Sequence, residues 1–189
     1  GLIIFLPLLF RGGSHGAGTP TYRLTLLAGY ALLLLGDVLF WNVFGTDRAA
    51  AQLYFLQPWP LMLAVVAKNL AAGIFVFLEV TGVLTVWTLL RLPASPGRVA
   101  EVYLAAAVLG VYMVSAGNLS SIYYPRAVNP EKSTGAGSAT VIRVLLLLIL
   151  PVLWAPVILA YVFRHVFHSE IGFQATLAAG LLAGVPVYW

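Results

Sequence analysis

The sequence predicts an all-α, polytopic transmembrane helix bundle of about six spans, the first and last incomplete, and three observations carry that prediction. Hydrophobic residues make up 61% of the 189 positions and charged residues only 8%, with a mean hydropathy of +0.98. A water-soluble domain of this length cannot bury so much apolar surface. The apolar residues gather into runs of roughly 17–23, the length at which a helix rising 1.5 Å per residue crosses a hydrocarbon core about 30 Å thick. Most charges, with clusters of Pro, Gly and Ser, fall in the breaks between those runs.

Residues 2–10 are apolar but too short to cross, and read as the end of a helix. Residues 11–23, glycine-rich with a proline, form a loop. The first full span is 24–44, closed by Gly45. Residues 46–60 mix Asp47, Arg48, Gln52 and Gln57 with apolar positions and finish in Pro58-Trp59-Pro60, the pattern of a helix lying in the membrane interface. A short apolar piece, 61–67, leads into Lys68 and Asn69, and 70–90 is the second span. Pro93 and Pro96 mark 91–98 as a tight turn. The third span, 101–117, is at the short end of the range. Residues 118–140 are the main extramembrane loop, with Pro125, Pro130 and a Ser/Thr/Gly/Ala tract. Span 141–163 contains Pro151 and Pro156, which favour kinks. A turn at 164–170 precedes the last span, 171–189. No internal repeat, heptad seam or GxxxG pair of spans stands out. The whole of 1–189 reads as one transmembrane domain. Because it begins at Gly1 without Met and stops at Trp189 within an apolar run, it reads as a piece of a longer polypeptide.

Composition also excludes functions. There is no cysteine, which removes disulfides, Cys-ligated zinc and thiol catalysis. The net charge of +4 comes from scattered Lys and Arg, so anionic lipid is the expected counterpart and nucleic acid is not. Alternation of spans puts Arg48, Lys68, Arg126, Lys132 and Arg143 on one side and Arg11, Arg23, Arg91, Arg98 and Arg164 on the other, a tie that leaves orientation open.

The run Phe44-Gly45-Thr46-Asp47-Arg48, continuing through Tyr54-Phe55-Leu56-Gln57-Pro58-Trp59-Pro60 to Lys68-Asn69-Leu70-Ala71, resembles the permease subunits of type-two ATP-binding-cassette exporters. In that family a span ends in an N-x-F-G-x-D type sequence, matched here by Asn42, Phe44, Gly45 and Asp47. A short cytoplasmic helix, a proline and a K-N-L-A opening of the next span follow. Gly117-Asn118-Leu119-Ser120-Ser121, with Pro125 and Arg126 beyond, is similar to the family's exit from a later span. The resemblance covers about a third of the chain. It implies that both polar loops face the cytoplasm of a bacterial inner membrane and that 46–60 is a coupling helix resting on a separate ATPase. Phe44, Gly45, Asp47, Arg48 and Gln52 would then meet that partner, and Asn118, Pro125 and Arg126 would form a docking loop. Arg48 and Gln52, four apart, share a helix face, and Asp47 suits a helix N-terminus. A plain interfacial linker would look the same on residues alone.

No G-x-x-x-x-G-K-[ST] phosphate loop is present, so ATP would be bound by the partner, and this chain is not expected to be an enzyme. The expected assembly is a dimer or larger membrane complex. The rival reading is a non-transporting accessory subunit of a respiratory or photosynthetic complex, binding lipid or pigment at its apolar faces. Among single residues, Glu79 falls near the middle of the second span, where a carboxylate either contacts substrate or protons on a pathway or is hydrogen-bonded to a neighbouring helix. Asp37 is nearer a boundary, where it can snorkel or pair with Arg48 or Lys68. His165 and His168 with Glu170 have a helical metal-ligand spacing but lack a further ligand, and a solvated turn is the expected role. The serines have no base at a catalytic spacing. Trp41, Trp59, Tyr123, Tyr124, Trp154 and Trp189 lie mostly near span ends, as belt residues do.

Overall fold

Pro60 holds an extended backbone (φ −62, ψ 136), and from the next residue helical hydrogen bonding runs unbroken through Lys68 and Asn69 to the end of the apolar run. This helix, Leu61–Leu89, belongs to a computed structural model that describes residues 22–40, 44, 53–56, 58, 60–92, 94–123 and 139–188. In chain order the helices are α1 (Tyr22–Leu39), the single turn α2 (Leu53–Leu56), α3 (Leu61–Leu89), α4 (Pro96–Tyr123), α5 (Ala139–His165) and α6 (Glu170–Tyr188). The described residues form an all-α bundle. Three of its helices are long and apolar enough to cross a membrane, at Leu61–Leu89, Pro96–Ser121 and Leu148–His165, so the described residues reach three spans on this criterion, against the six expected.

The long helices alternate in direction. One end of the bundle gathers the start of α1, the α3–α4 turn and the α5–α6 turn, and is called the Arg164 end below. The opposite end, with the start of α3 and the close of α4, is the Lys68 end. α4 sits at the centre and packs against α1, α3, α5 and α6. Its Val102, Ala105, Ala106, Val108, Leu109 and Met113 are all buried, as expected for a helix that meets four neighbours. α3 is peripheral. It buries one narrow stripe, Ala72, Val76, Val80, Leu84 and Trp87, and turns Leu70, Ile74, Phe75, Leu78 and Val86 outward. Such an apolar exterior suits lipid as the surrounding solvent.

Several boundaries differ from those expected. The second span was expected to begin at residue 70, but α3 begins at Leu61, because a polar pair does not interrupt backbone hydrogen bonding when its side chains can reach the interface. The turn after α3 is shorter than 91–98. Pro96 opens α4 instead of breaking the chain, a position where its missing N–H costs nothing, and the Ser95 hydroxyl accepts from the Arg98 N–H at 3.4 Å as an N-cap. The third span is not short, since α4 continues to Tyr123 and takes residues 118–123 out of the expected loop. Ala139 and Thr140, also assigned to that loop, begin α5, which runs as one helix through Pro151 and Pro156. α6 starts at Glu170, where Ser169 Oγ accepts from the Gly172 N–H at 3.0 Å.

Small residues set the closest approaches. α6 carries Gly180 and Gly184 four apart, a small-residue pair where no GxxxG pattern was expected to matter. A Cβ at Gly180 would lie 2.9 Å from Pro156 Cβ, and one at Gly184 would lie 2.7 Å from Val111 Cγ1. The pair therefore seats α6 against α5 and α4 inside this chain. At Gly117 a Cβ would overlap the backbone carbonyl of Phe40, and at Gly29 it would overlap the Trp154 ring.

Polar bridges add register between helices. Tyr112 donates to the Gly180 carbonyl at 3.1 Å. The hydroxyls of Thr81 and Tyr103 lie 2.8 Å apart and join α3 to α4, with the Tyr103 ring stacked on Phe77 at 5.3 Å. Tyr103→Phe is expected to destabilise the protein by about 1 kcal/mol, the typical net worth of one hydrogen bond, measured as the shift of an unfolding curve in detergent.

Candidate functional site

Two clusters of polar and aromatic side chains stand out, one at each end of the bundle. At the Arg164 end, Glu101 sits in the second turn of α4, Tyr161 and Arg164 in the last turns of α5, and Glu170 at the first position of α6. Arg164 Nη2 and Nε donate to Glu170 Oε2 at 2.7 and 3.0 Å. Nη1 lies 2.7 Å from Glu101 Oε2, but none of its N–H bonds is aligned for a hydrogen bond, so that contact is a charge pairing. The guanidinium carbon is 3.5 Å from the Phe173 ring centroid, a cation–π stack. Tyr161 donates to Glu101 Oε1 at 2.6 Å. With its proton so placed, Tyr161 accepts from the Thr25 hydroxyl at 2.6 Å.

The chemistry of this clamp follows from its burial. The side chains of Glu101 and Arg164 are 9% and 13% exposed, whereas that of Glu170 is 64% exposed. Glu101–Arg164 is thus the enclosed pair and Glu170 the solvated rim. Together with Thr25 the cluster fastens α1, α4, α5 and α6 at one level. The His165 ring stacks on Tyr161 at 6.0 Å and meets Tyr22 edge-on, while the exposed His168 occupies the turn with a positive φ of 50. Among the described residues no three of His, Asp and Glu come together as metal ligands.

At the Lys68 end, the ammonium of Lys68 lies 5.6 Å from the Phe44 ring centroid and 5.9 Å from that of Tyr54, and the two rings meet at 6.1 Å, edge to face. Phe44 precedes the segment resembling a coupling helix and Tyr54 lies inside it, in α2. Two aromatic residues ten positions apart in sequence thus meet one residue of α3. Of the expected coupling residues, Phe44 is placed by this contact, whereas Gly45, Asp47, Arg48 and Gln52 lie outside the described residues. So do Pro125 and Arg126. Asn118, expected in a loop, is instead within α4, and its Oδ1 is buried without a hydrogen-bond partner.

Glu79 lies in α3, between the Lys68 and Arg164 ends, with Oε2 buried and without a hydrogen-bond partner. Asp37 falls in the last turn of α1. The structure does not bring Glu79 into either cluster. Lys68 was expected at the opening of a span and as a candidate partner of Asp37, not beside aromatic rings, and Glu101 only as the start of the next span. The available signal for the Arg164 clamp was the alternation itself, which put Glu101 at the same membrane face as Arg98 and Arg164.

These features define an integral membrane protein built as a helix bundle. Comparison with family models, with curated proteins and with solved structures returns no match.

Proposed function

We propose that this chain is the membrane-spanning permease of an ATP-driven exporter in a bacterial inner membrane, working with a separate ATPase and assembled as a dimer or larger complex. The observation that carries the reading is the anchoring of the interfacial segment to Lys68 through Phe44 and Tyr54. A partner that pushes on residues 45–52 delivers force to α3 through two aromatic contacts. The Thr81–Tyr103 bridge ties the farther half of α3 to α4 and supplies a fulcrum. A stiff helix, driven near one end and held beyond its middle, converts a push at the interface into a change of spacing between spans. Gly45, Asp47, Arg48 and Gln52 would form the face offered to the ATPase, and Asn118, Pro125 and Arg126 a second contact. Nucleotide would be bound by the partner.

Gentle purification from the native membrane followed by mass spectrometry is expected to yield a stoichiometric ATPase with a phosphate loop. Lys68→Met is expected to leave that ATPase bound while lowering permease-stimulated ATP turnover about three- to tenfold, since a cation–π contact is worth about 0.5–2 kcal/mol. A pigment-bearing or redox complex without an ATPase would establish the accessory-subunit reading in its place. The observation favouring that rival is the broad apolar exterior of α3, a face suited to another membrane protein as well as to lipid.

A further inference from the structure

α3 carries a single acidic residue, Glu79. We propose that Glu79 is a proton-binding site inside the membrane: the side chain is present at pH 7 as the neutral carboxylic acid and keeps that proton until water or a cation reaches it. The inference does not depend on the exporter reading.

Depth is the first argument. Glu79 stands ten residues from Leu89 and eighteen from Leu61, the two ends of α3, which at 1.5 Å per residue is about 15 and 27 Å. α3 is one of the helices long and apolar enough to cross a membrane. On the side of the helix that bears Glu79, Phe75 lies one turn before it and Val86 two turns beyond, and both are exposed on the apolar exterior. With two methylenes, a glutamate cannot carry its charge to the interface as a lysine or arginine does.

The second argument is the missing counter-charge. On α3 itself the nearest cation before Glu79 is Lys68, eleven residues away, or about 16 Å. Arg91, beyond the end of α3, is farther still. The helices packed on α3 are α1, α2 and α4. The charged groups of α1, Arg23 and Asp37, belong to its first and last turns, and those of α4, Arg98 and Glu101, to its first two. Level with Glu79 on α4 is Tyr103, whose hydroxyl is shared with Thr81. The other titratable groups of these three helices are Tyr22, Tyr30, Tyr54, Tyr112 and Tyr123, phenols that are uncharged near pH 7.

The free oxygen is the third. Glu79 Oε2 is buried and has no hydrogen-bond partner. A carboxylate offers about four acceptor sites and needs donors for them, and an unmet acceptor costs more on a charged group than on a neutral one. The acid form removes the charge that nothing here compensates. A movement of α3 that lets water reach the carboxyl is then linked to release of one proton.

The test uses the full chain in phosphatidylcholine vesicles at pH 7, with dicyclohexylcarbodiimide as the probe and peptide mass spectrometry as the readout. Only the acid form reacts: its proton passes to a carbodiimide nitrogen as the carboxyl oxygen bonds to the central carbon. Migration of the acyl group from oxygen to nitrogen then leaves a stable N-acylurea that retains the whole reagent. Since a solvated glutamate holds its proton in about one molecule in 500 at pH 7, labelling of Glu79 is expected to exceed that of the exposed Glu170 at least about tenfold. Equal labelling of the two places Glu79 in water and overturns the proposal. Infrared spectra at pH 7 give a reading free of reagent access. The difference spectrum of the native protein against Glu79→Gln is expected to contain one carboxylic acid C=O band, and a difference spectrum with none overturns the proposal.

Discussion

Arg164→Met is expected to destabilise the protein by about 3–5 kcal/mol, the range found when one partner of a buried ion pair is removed and the other is stranded. The physical reason is that Glu101, 9% exposed, keeps only the Tyr161 hydroxyl once the guanidinium is gone, and the cation–π stack on Phe173 goes with it. Removing both charges is a different experiment. Glu101→Gln combined with Arg164→Met leaves no stranded charge and is expected to recover most of the loss, since replacing a buried pair together is often close to neutral. Glu170→Gln is expected to cost no more than about 1 kcal/mol, because its carboxylate is 64% exposed and solvated pairs contribute little. Unfolding curves in detergent for the four proteins give the comparison. Equal losses for Arg164→Met and Glu170→Gln would remove the distinction between enclosed pair and rim.

Gly117→Ala is expected to cost about 3 kcal/mol, at the upper end for an overpacked core. The added methyl group would fall on the backbone carbonyl of Phe40, and Phe40 itself is fully buried. A backbone atom cannot rotate away as a side-chain tip can, so α1 and α4 must separate at the Lys68 end. Gly82→Ala makes the control: its Cβ meets nothing within 4 Å, and it is expected to be neutral or to stabilise the helix by up to about 1 kcal/mol. Thermal midpoints of the two purified variants measure the difference.

Hydropathy made the bodies of α3, α4 and α5 legible, because apolar runs of spanning length have few other uses. It placed their ends poorly. Lys68–Asn69 and Asn118 were read as borders, yet α3 and α4 pass straight through them, since hydropathy registers side chains while a helix is held by its backbone. The site was less legible than the fold. Tyr161 and Glu101 are sixty residues apart, and no local pattern says that two side chains at one membrane face will touch. Phe44 and Lys68 were singled out through a resemblance, but their contact with Tyr54 depends on how the intervening chain returns to α3. Gly180 and Gly184 did not stand out as a motif, and their neighbours, Pro156 and Val111, lie on two other helices.

The spacing of the Arg164 clamp along the chain has a consequence for biogenesis. A polypeptide enters the membrane from its N-terminus, so α4 delivers Glu101 well before α5 delivers Arg164 and Tyr161. Until then the acid must be held by water, by the translocation machinery or by a lipid headgroup, and the four-helix tie at that level cannot close. A ribosome-bound intermediate ending before α5 thus carries Glu101 without the guanidinium and the phenol that meet it in the finished protein, and the arrival of α5 supplies both.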